Sequence, residues 1–178
     1  MNNKICDMLG IEFPLVAFSH CRDVVAAVSR AGGMGVFGGV NCSPEMLEEE
    51  LSWIDAHVDG AEDIEAVRRE QVAFTDNLRG GTAAAILEVA FRHPIKLIAN
   101  ALGIPPQVML ELGQRHNVPV AALVGTRDHA MSQVAAGVDI IIAVGGEAGG
   151  HTGDISTMVL IPEVCNALAQ IGDDTPVL

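Results

Sequence analysis

Short apolar runs alternate along the chain with segments whose apolar residues recur every three or four positions. Pro14 to Phe18 is one such run, and from Asp23 to Ala31 the residues Val24, Ala27, Val28 and Ala31 fall at helical spacing. A strand therefore leads into a helix. Gly32 and Gly33 close that helix, and Met34 to Phe37 forms a second strand before Gly38 and Gly39. Ser43, Pro44 and Glu45 make a helix start, combining a capping hydroxyl, a first-turn proline and a carboxylate at the positive end of the dipole. Leu47, Leu51, Ile54 and Val58 line the face that follows, with Trp53 beside it as packing.

The charged stretch Ala61 to Arg79 reads as an exposed helix without a strand, and Thr82 to Arg92 as a second helix stopped at His93 and Pro94. Beyond it the alternation is regular. Strands are expected at Ile95 to Leu102, Val118 to Val124 and Val138 to Val144, with helices at Pro105 to His116 and Arg127 to Ala136. These strands are nearly continuous apolar runs, the pattern of parallel strands covered on both faces, and Asn117 and Gly137 sit where helices must reverse. The fold class is α/β.

Composition narrows the function. At 178 residues and 49% hydrophobic, residues 1–178 suit a single globular domain but are few for a closed eight-stranded barrel. The formal net charge of −13, with ten Lys and Arg scattered along the chain, supplies no footprint for nucleic acid or an anionic membrane. No charged leader precedes an apolar stretch and no apolar run is long enough to span a bilayer, so the expectation is a cytoplasmic protein. Four cysteines without a CxxC pair point to reduced thiols, and His20 beside Cys21 lacks the second ligand motif that a metal site needs.

In parallel α/β sheets ligands bind beyond the carboxyl ends of the strands. The richest of those loops runs Gly145, Gly146, Glu147, Ala148, Gly149, Gly150, His151, Thr152, Gly153, Asp154. Four glycines in six positions let backbone approach a flat ligand and aim N–H groups at it. His151 reads from spacing alone either as a proton-exchanging group or as a solvated loop histidine. Lesser candidates at the other strand ends are Ser19, His20, the stretch Gly35 to Gly39, Asn100, Gly125 and Thr126, of which Thr126 is best read as a helix cap. The GxSxG, Walker A and HExxH motifs are absent.

Three segments together resemble a known family: Ile5 to Pro14, Ala26 to Gly35, and Ala136 to Asp139 leading to Gly146-Glu147-Ala148-Gly149-Gly150-His151-Thr152-Gly153. They are similar to the nitronate monooxygenase or 2-nitropropane dioxygenase-like group, FMN enzymes related to flavin enoyl-thioester reductases. The likeness spans nearly the whole chain. It implies a TIM-like barrel with FMN at its carboxyl face, a small-molecule substrate, and oxidation of alkyl nitronates with oxygen. His151 would be the catalytic base; Ala17, Phe18 and Ser19 would face the flavin, with Asn100, Gly125, Gly145, Gly146, Glu147, Gly149 and Gly150 as further cofactor contacts. No metal is implied.

The chain departs from the family in three places. Val144 stands where relatives often have Gln, a third barrel strand is missing after Val58, and Pro176-Val177-Leu178 looks like the start of a seventh strand. The expectation is therefore an incomplete barrel, with residues omitted around Gly60 and Ala61 and after Leu178. An open sheet edge of that kind invites pairing into a homo-oligomer. Two alternatives stay open: an NAD(P)H-dependent flavin reductase acting on an enoyl thioester, and a non-catalytic ligand-binding fragment.

Overall fold

In the computed structural model, residues 3–58, 82–150 and 152–178 are described. The stretch 61–79 expected as an exposed helix and the candidate base His151 lie outside them. The chain groups into two compact units, Met1–Ile95 and Lys96–Leu178.

The first unit opens with α1 (Lys4–Leu9), which the apolar pattern did not reveal. Its Asn3 side chain caps Cys6 N at 2.8 Å, Gly10 ends it in the left-handed region, and Ile5, Cys6 and Leu9 are buried. Strand β1 (Val16–Ser19), α2 (Arg22–Arg30) and β2 (Met34–Phe37) follow as a βαβ unit, with β1 and β2 parallel and Ser19 opposite Phe37. Ser43 caps α3 (Pro44–Val58) by accepting Met46 N–H at 3.2 Å. Helix α4 (Thr82–Ala90) packs against α3. Among the described residues no strand stands between these two helices. The core here is mostly helical: Val25 of α2, Leu47, Leu51 and Ile54 of α3 and Val89 of α4 form one buried cluster with Cys42. Trp53 packs on its edge, stacked on His57 at 3.8 Å with the Arg22 guanidinium 4.6 Å from its ring.

The second unit follows the expected alternation with shorter strands. It runs β3 (Ile98–Asn100), α5 (Gln107–His116), β4 (Val120–Val124), α6 (Arg127–Ala135), β5 (Ile140–Ala143) and α7 (Thr157–Ile171). The sheet order is β3-β4-β5, all parallel. The strands start late for identifiable reasons. Pro119 has no N–H to give and serves only as acceptor for Ile98 N, while Val138 N–H is held by Gln133 O at the end of α6. Asp139, part of the resembling segment, ties the start of β4 to that of β5: its carboxylate accepts Val120 N–H at 2.8 Å and its own N–H donates to Val120 O. Asn117 and Gly137 carry positive φ at helix ends, as their positions predicted.

Helix α7 was not anticipated. Ser156 precedes it, Gly172 closes it in the left-handed region, and Leu160, Val164, Ala167 and Leu168 are buried. Pro162 interrupts the sequence pattern yet sits on the exposed side of the helix. Leu160, Val164 and Leu168 join Ala122, Val124, Ala130, Val138 and Ile141 in a core of sheet against helix. Pro176 to Leu178 then add a parallel bridge beside β5, with Leu178 N–H on Ile141 O at 2.8 Å and Ala143 N–H on Leu178 O at 2.8 Å. The expected start of a further strand is thus in place. No described helix is long and apolar enough to cross a membrane.

Candidate functional site

In the second unit the glycine loop leaves the carboxyl end of β5 and divides into a packed base and an open tip. Gly145 abuts the backbone N and hydroxyl of Thr157, where a side chain would overlap them. A Cβ on Gly146 would lie 3.0 Å from Gly153 O, and Gly146 N–H donates to Ile155 O at 2.8 Å. Gly125, after β4, meets Gly153 so closely that a Cβ on either would fall 3.1 Å or less from the other's backbone. These three glycines therefore answer to packing. Gly149 and Gly150 are different: both are exposed, among the described residues no atom lies within 4 Å of where a Cβ on either would stand, and Gly150 has φ +89°. That tip leads directly into position 151.

Glu147 has a structural occupation. Both its carboxylate oxygens accept Thr157 N–H, at 2.9 and 3.1 Å, so the side chain caps α7 from ten residues upstream. Hydrogen bonds from its own N–H and from Thr157 hold its carboxyl below the ordinary glutamate range. Asn100 is likewise engaged, donating its side-chain amide to the carbonyls of Leu102 and Gly103 at 3.0 and 2.8 Å. Thr126 caps α6 by accepting His129 N–H at 3.1 Å, the role its position suggested.

In the first unit the carboxyl end of β1 presents Phe18, which is 66% exposed, while Ala17 is half-buried in the strand. Ser19 fixes the turn into α2, its hydroxyl accepting Cys21 N–H at 3.0 Å. His20 follows with its ring edge-on to Phe18, centroids 5.0 Å apart at 81°, and Nδ1 2.8 Å from Gly38 O. The sequence marked both His20 and Gly38 but gave no sign that they pair, because the contact depends on β1 and β2 being parallel neighbours.

A family model described as nitronate monooxygenase matches residues 2–178. The chain belongs to the nitronate monooxygenase family. Rv1533 of Mycobacterium tuberculosis, whose given name proposes a monooxygenase, is 43% identical over 224 residues, covering 100% of this chain and 59% of its own length. That matched span is longer than the 178 residues of this chain, so the relative has residues inside it without a counterpart here. A Staphylococcus aureus protein named "Probable nitronate monooxygenase" is 24% identical over 94% of this chain and 58% of itself.

Among solved structures, FabK from Thermotoga maritima superposes with a TM-score of 0.78 at 24% identity, over 99% of this chain and 53% of that one. Nitroalkane oxidase from Streptomyces ansochromogenes gives 0.76 at 21%, over 97% and 59%. Both likenesses concern the fold. The chain spans between half and three-fifths of the length of these members and fold relatives. Within the glycine loop, the packed Gly145 and Gly146 and the occupied Glu147 serve the scaffold, with Gly125 packed against it, and Gly149 and Gly150 form its exposed tip.

Proposed function

We propose that this chain is part of an FMN-dependent oxidoreductase that oxidises alkyl nitronates with molecular oxygen, built on a TIM-like barrel of which these residues form the larger share. The observation that carries the reading is the family match over residues 2–178, joined to a glycine tip left open just before His151. We read the extra residues of Rv1533 within the matched span as containing the third strand whose absence after Val58 the sequence suggests. A cytoplasmic setting goes with four cysteines that form no disulfide among the described residues.

FMN, when bound, supplies the redox chemistry. The chain's own part is to bind, orient and move a proton. Gly149 and Gly150 allow backbone N–H groups close to the ring edge, which side chains there would obstruct. Phe18, which the family resemblance implies would face the flavin, carries an exposed apolar ring suited to that contact. His151 takes up or returns the substrate proton, a task for which imidazole is suited near neutral pH.

The purified protein is expected to be yellow, to release FMN on denaturation and to consume oxygen when given a nitronate. His151→Ala should cut turnover by roughly 10²–10⁴, the contribution of a positioned acid or base, while flavin content is unchanged. Unchanged turnover in that variant removes His151 from the mechanism, and a colourless protein indifferent to added FMN removes the flavin reading and leaves a non-catalytic fragment.

A second reading, reduction of an enoyl thioester by NAD(P)H, goes with the fold shared with FabK. Anaerobic bleaching of the flavin by NADPH, followed by turnover of an enoyl thioester and not of a nitronate, selects it.

A further inference from the structure

We infer that His20, which no family resemblance assigned, is a ligand-facing hydrogen-bond acceptor that receives the imide N–H of a bound flavin. The inference rests on the flavin reading above.

His20 lies one residue beyond β1 and Gly38 one residue beyond β2, and these two strands are parallel neighbours with Ser19 opposite Phe37. Both residues therefore stand at the carboxyl ends, where ligands of parallel sheets bind. The Nδ1 of His20 is 2.8 Å from Gly38 O. A carbonyl oxygen can only accept, so Nδ1 carries the hydrogen, and in the neutral ring Nε2 is left with a free lone pair. The tautomer is fixed by the backbone and not by solvent.

The ring's orientation is fixed too. Phe18 meets it edge-on, and Gly38 N–H donates to Ser19 O at 2.9 Å, which holds the two strand ends together. Gly38 is the residue that permits this arrangement: a Cβ there would overlap the imidazole and approach the tip of Phe18 to 2.7 Å. His20 is exposed, so the acceptor nitrogen belongs to a side chain that a ligand can reach. Beside it lies the exposed phenyl of Phe18.

An apolar aromatic surface adjoining one oriented acceptor matches a planar heteroaromatic ring with an N–H on its rim. The isoalloxazine of FMN has one such N–H, the imide of its pyrimidine ring. A phosphate or a carboxylate, which need donors, would be repelled by a lone pair.

The test uses the purified chain, with FMN and FMN methylated at the imide nitrogen titrated separately and followed by flavin fluorescence. The wild type should bind the methylated flavin about tenfold more weakly, the scale of one lost hydrogen bond. His20→Ala should bind FMN as weakly as the wild type binds the methylated form, without distinguishing the two. His20→Gln, which keeps an acceptor carbonyl, should recover part of the discrimination. Gly38→Ala should behave as His20→Ala does, through displacement of the ring, and circular dichroism establishes that each variant is folded. Equal binding of both flavins by the wild type overturns the inference and leaves the flavin reading intact. Binding of neither flavin overturns both, and discrimination that survives in His20→Ala assigns the acceptor to another residue.

Discussion

The two units bury their apolar residues by different means. In the second, Ala122, Val124 and Ile141 come from the sheet, and Ala130, Leu160, Val164 and Leu168 from the helices laid on it. In the first, the cluster is made chiefly by α2, α3 and α4 closing on one another through Val25, Leu47, Leu51, Ile54 and Val89. The difference follows from what stands between consecutive helices. Where a strand intervenes, each helix finds a sheet face; α3 and α4, between which no strand lies among the described residues, cover each other's apolar stripes.

The largest effect should come from the better-buried core. Leu160→Ala removes a side chain of zero exposure from the second unit and is expected to cost about 2–5 kcal/mol; Leu51→Ala, 9% exposed in the first, belongs toward the lower end of that range. The two residues share no cluster, so denaturant titrations of the double variant should give the sum of the single losses to within about 0.5 kcal/mol. A marked departure from additivity breaks the comparison, because it means that the two cores are one.

A smaller effect separates base from tip within the glycine loop. Gly145→Ala drives a methyl into the N-terminus of α7 and should destabilise by about 1–3 kcal/mol. Gly149→Ala meets open space and should leave the thermal midpoint unchanged while weakening FMN binding. The reverse outcome, a stable Gly145 variant or an unstable Gly149 variant with normal flavin affinity, reassigns both glycines.

The smallest expected effect is electrostatic and has a counterpart in each unit. Glu147 at the start of α7 and Glu45 at the start of α3 are both held below the ordinary glutamate range, Glu147 by its own N–H and that of Thr157, Glu45 by its own N–H and Ser43. Because each is more acidic folded than unfolded, its contribution is complete above the unfolded value and disappears as pH falls through the folded one. Hydrogen exchange recorded across that acid interval should show α7 losing protection in the wild type but not differentially in Glu147→Gln, and α3 likewise with Glu45→Gln. Persistence of the α7 acid response in Glu147→Gln assigns it to another carboxylate.

Much of the second unit was legible because its strands are unbroken apolar runs whose ends carry Asn117 and Gly137, residues that tolerate positive φ. Helix α7 escaped notice because Pro162 breaks its pattern, although Leu160, Val164 and Leu168 recur every four residues. Helix α1 is only six residues long, too short for a periodicity to declare itself. At the site, position after a strand identified the right neighbourhoods but not the occupations within them. Nothing local announces that Glu147 will cap a helix ten residues on, or that the Asn100 amide will be spent on its own turn. Such roles depend on where the backbone returns, which a spacing pattern does not contain.

The chain contains a single tryptophan, and its indole is stacked on an imidazole with a guanidinium nearby, inside the helical unit. Intrinsic emission at long wavelength is therefore a native optical label for the helical core of the first unit. A melting curve followed by that emission, set beside one followed by far-ultraviolet ellipticity, reads out whether the two halves of the polypeptide come apart together or in turn, with no dye attached.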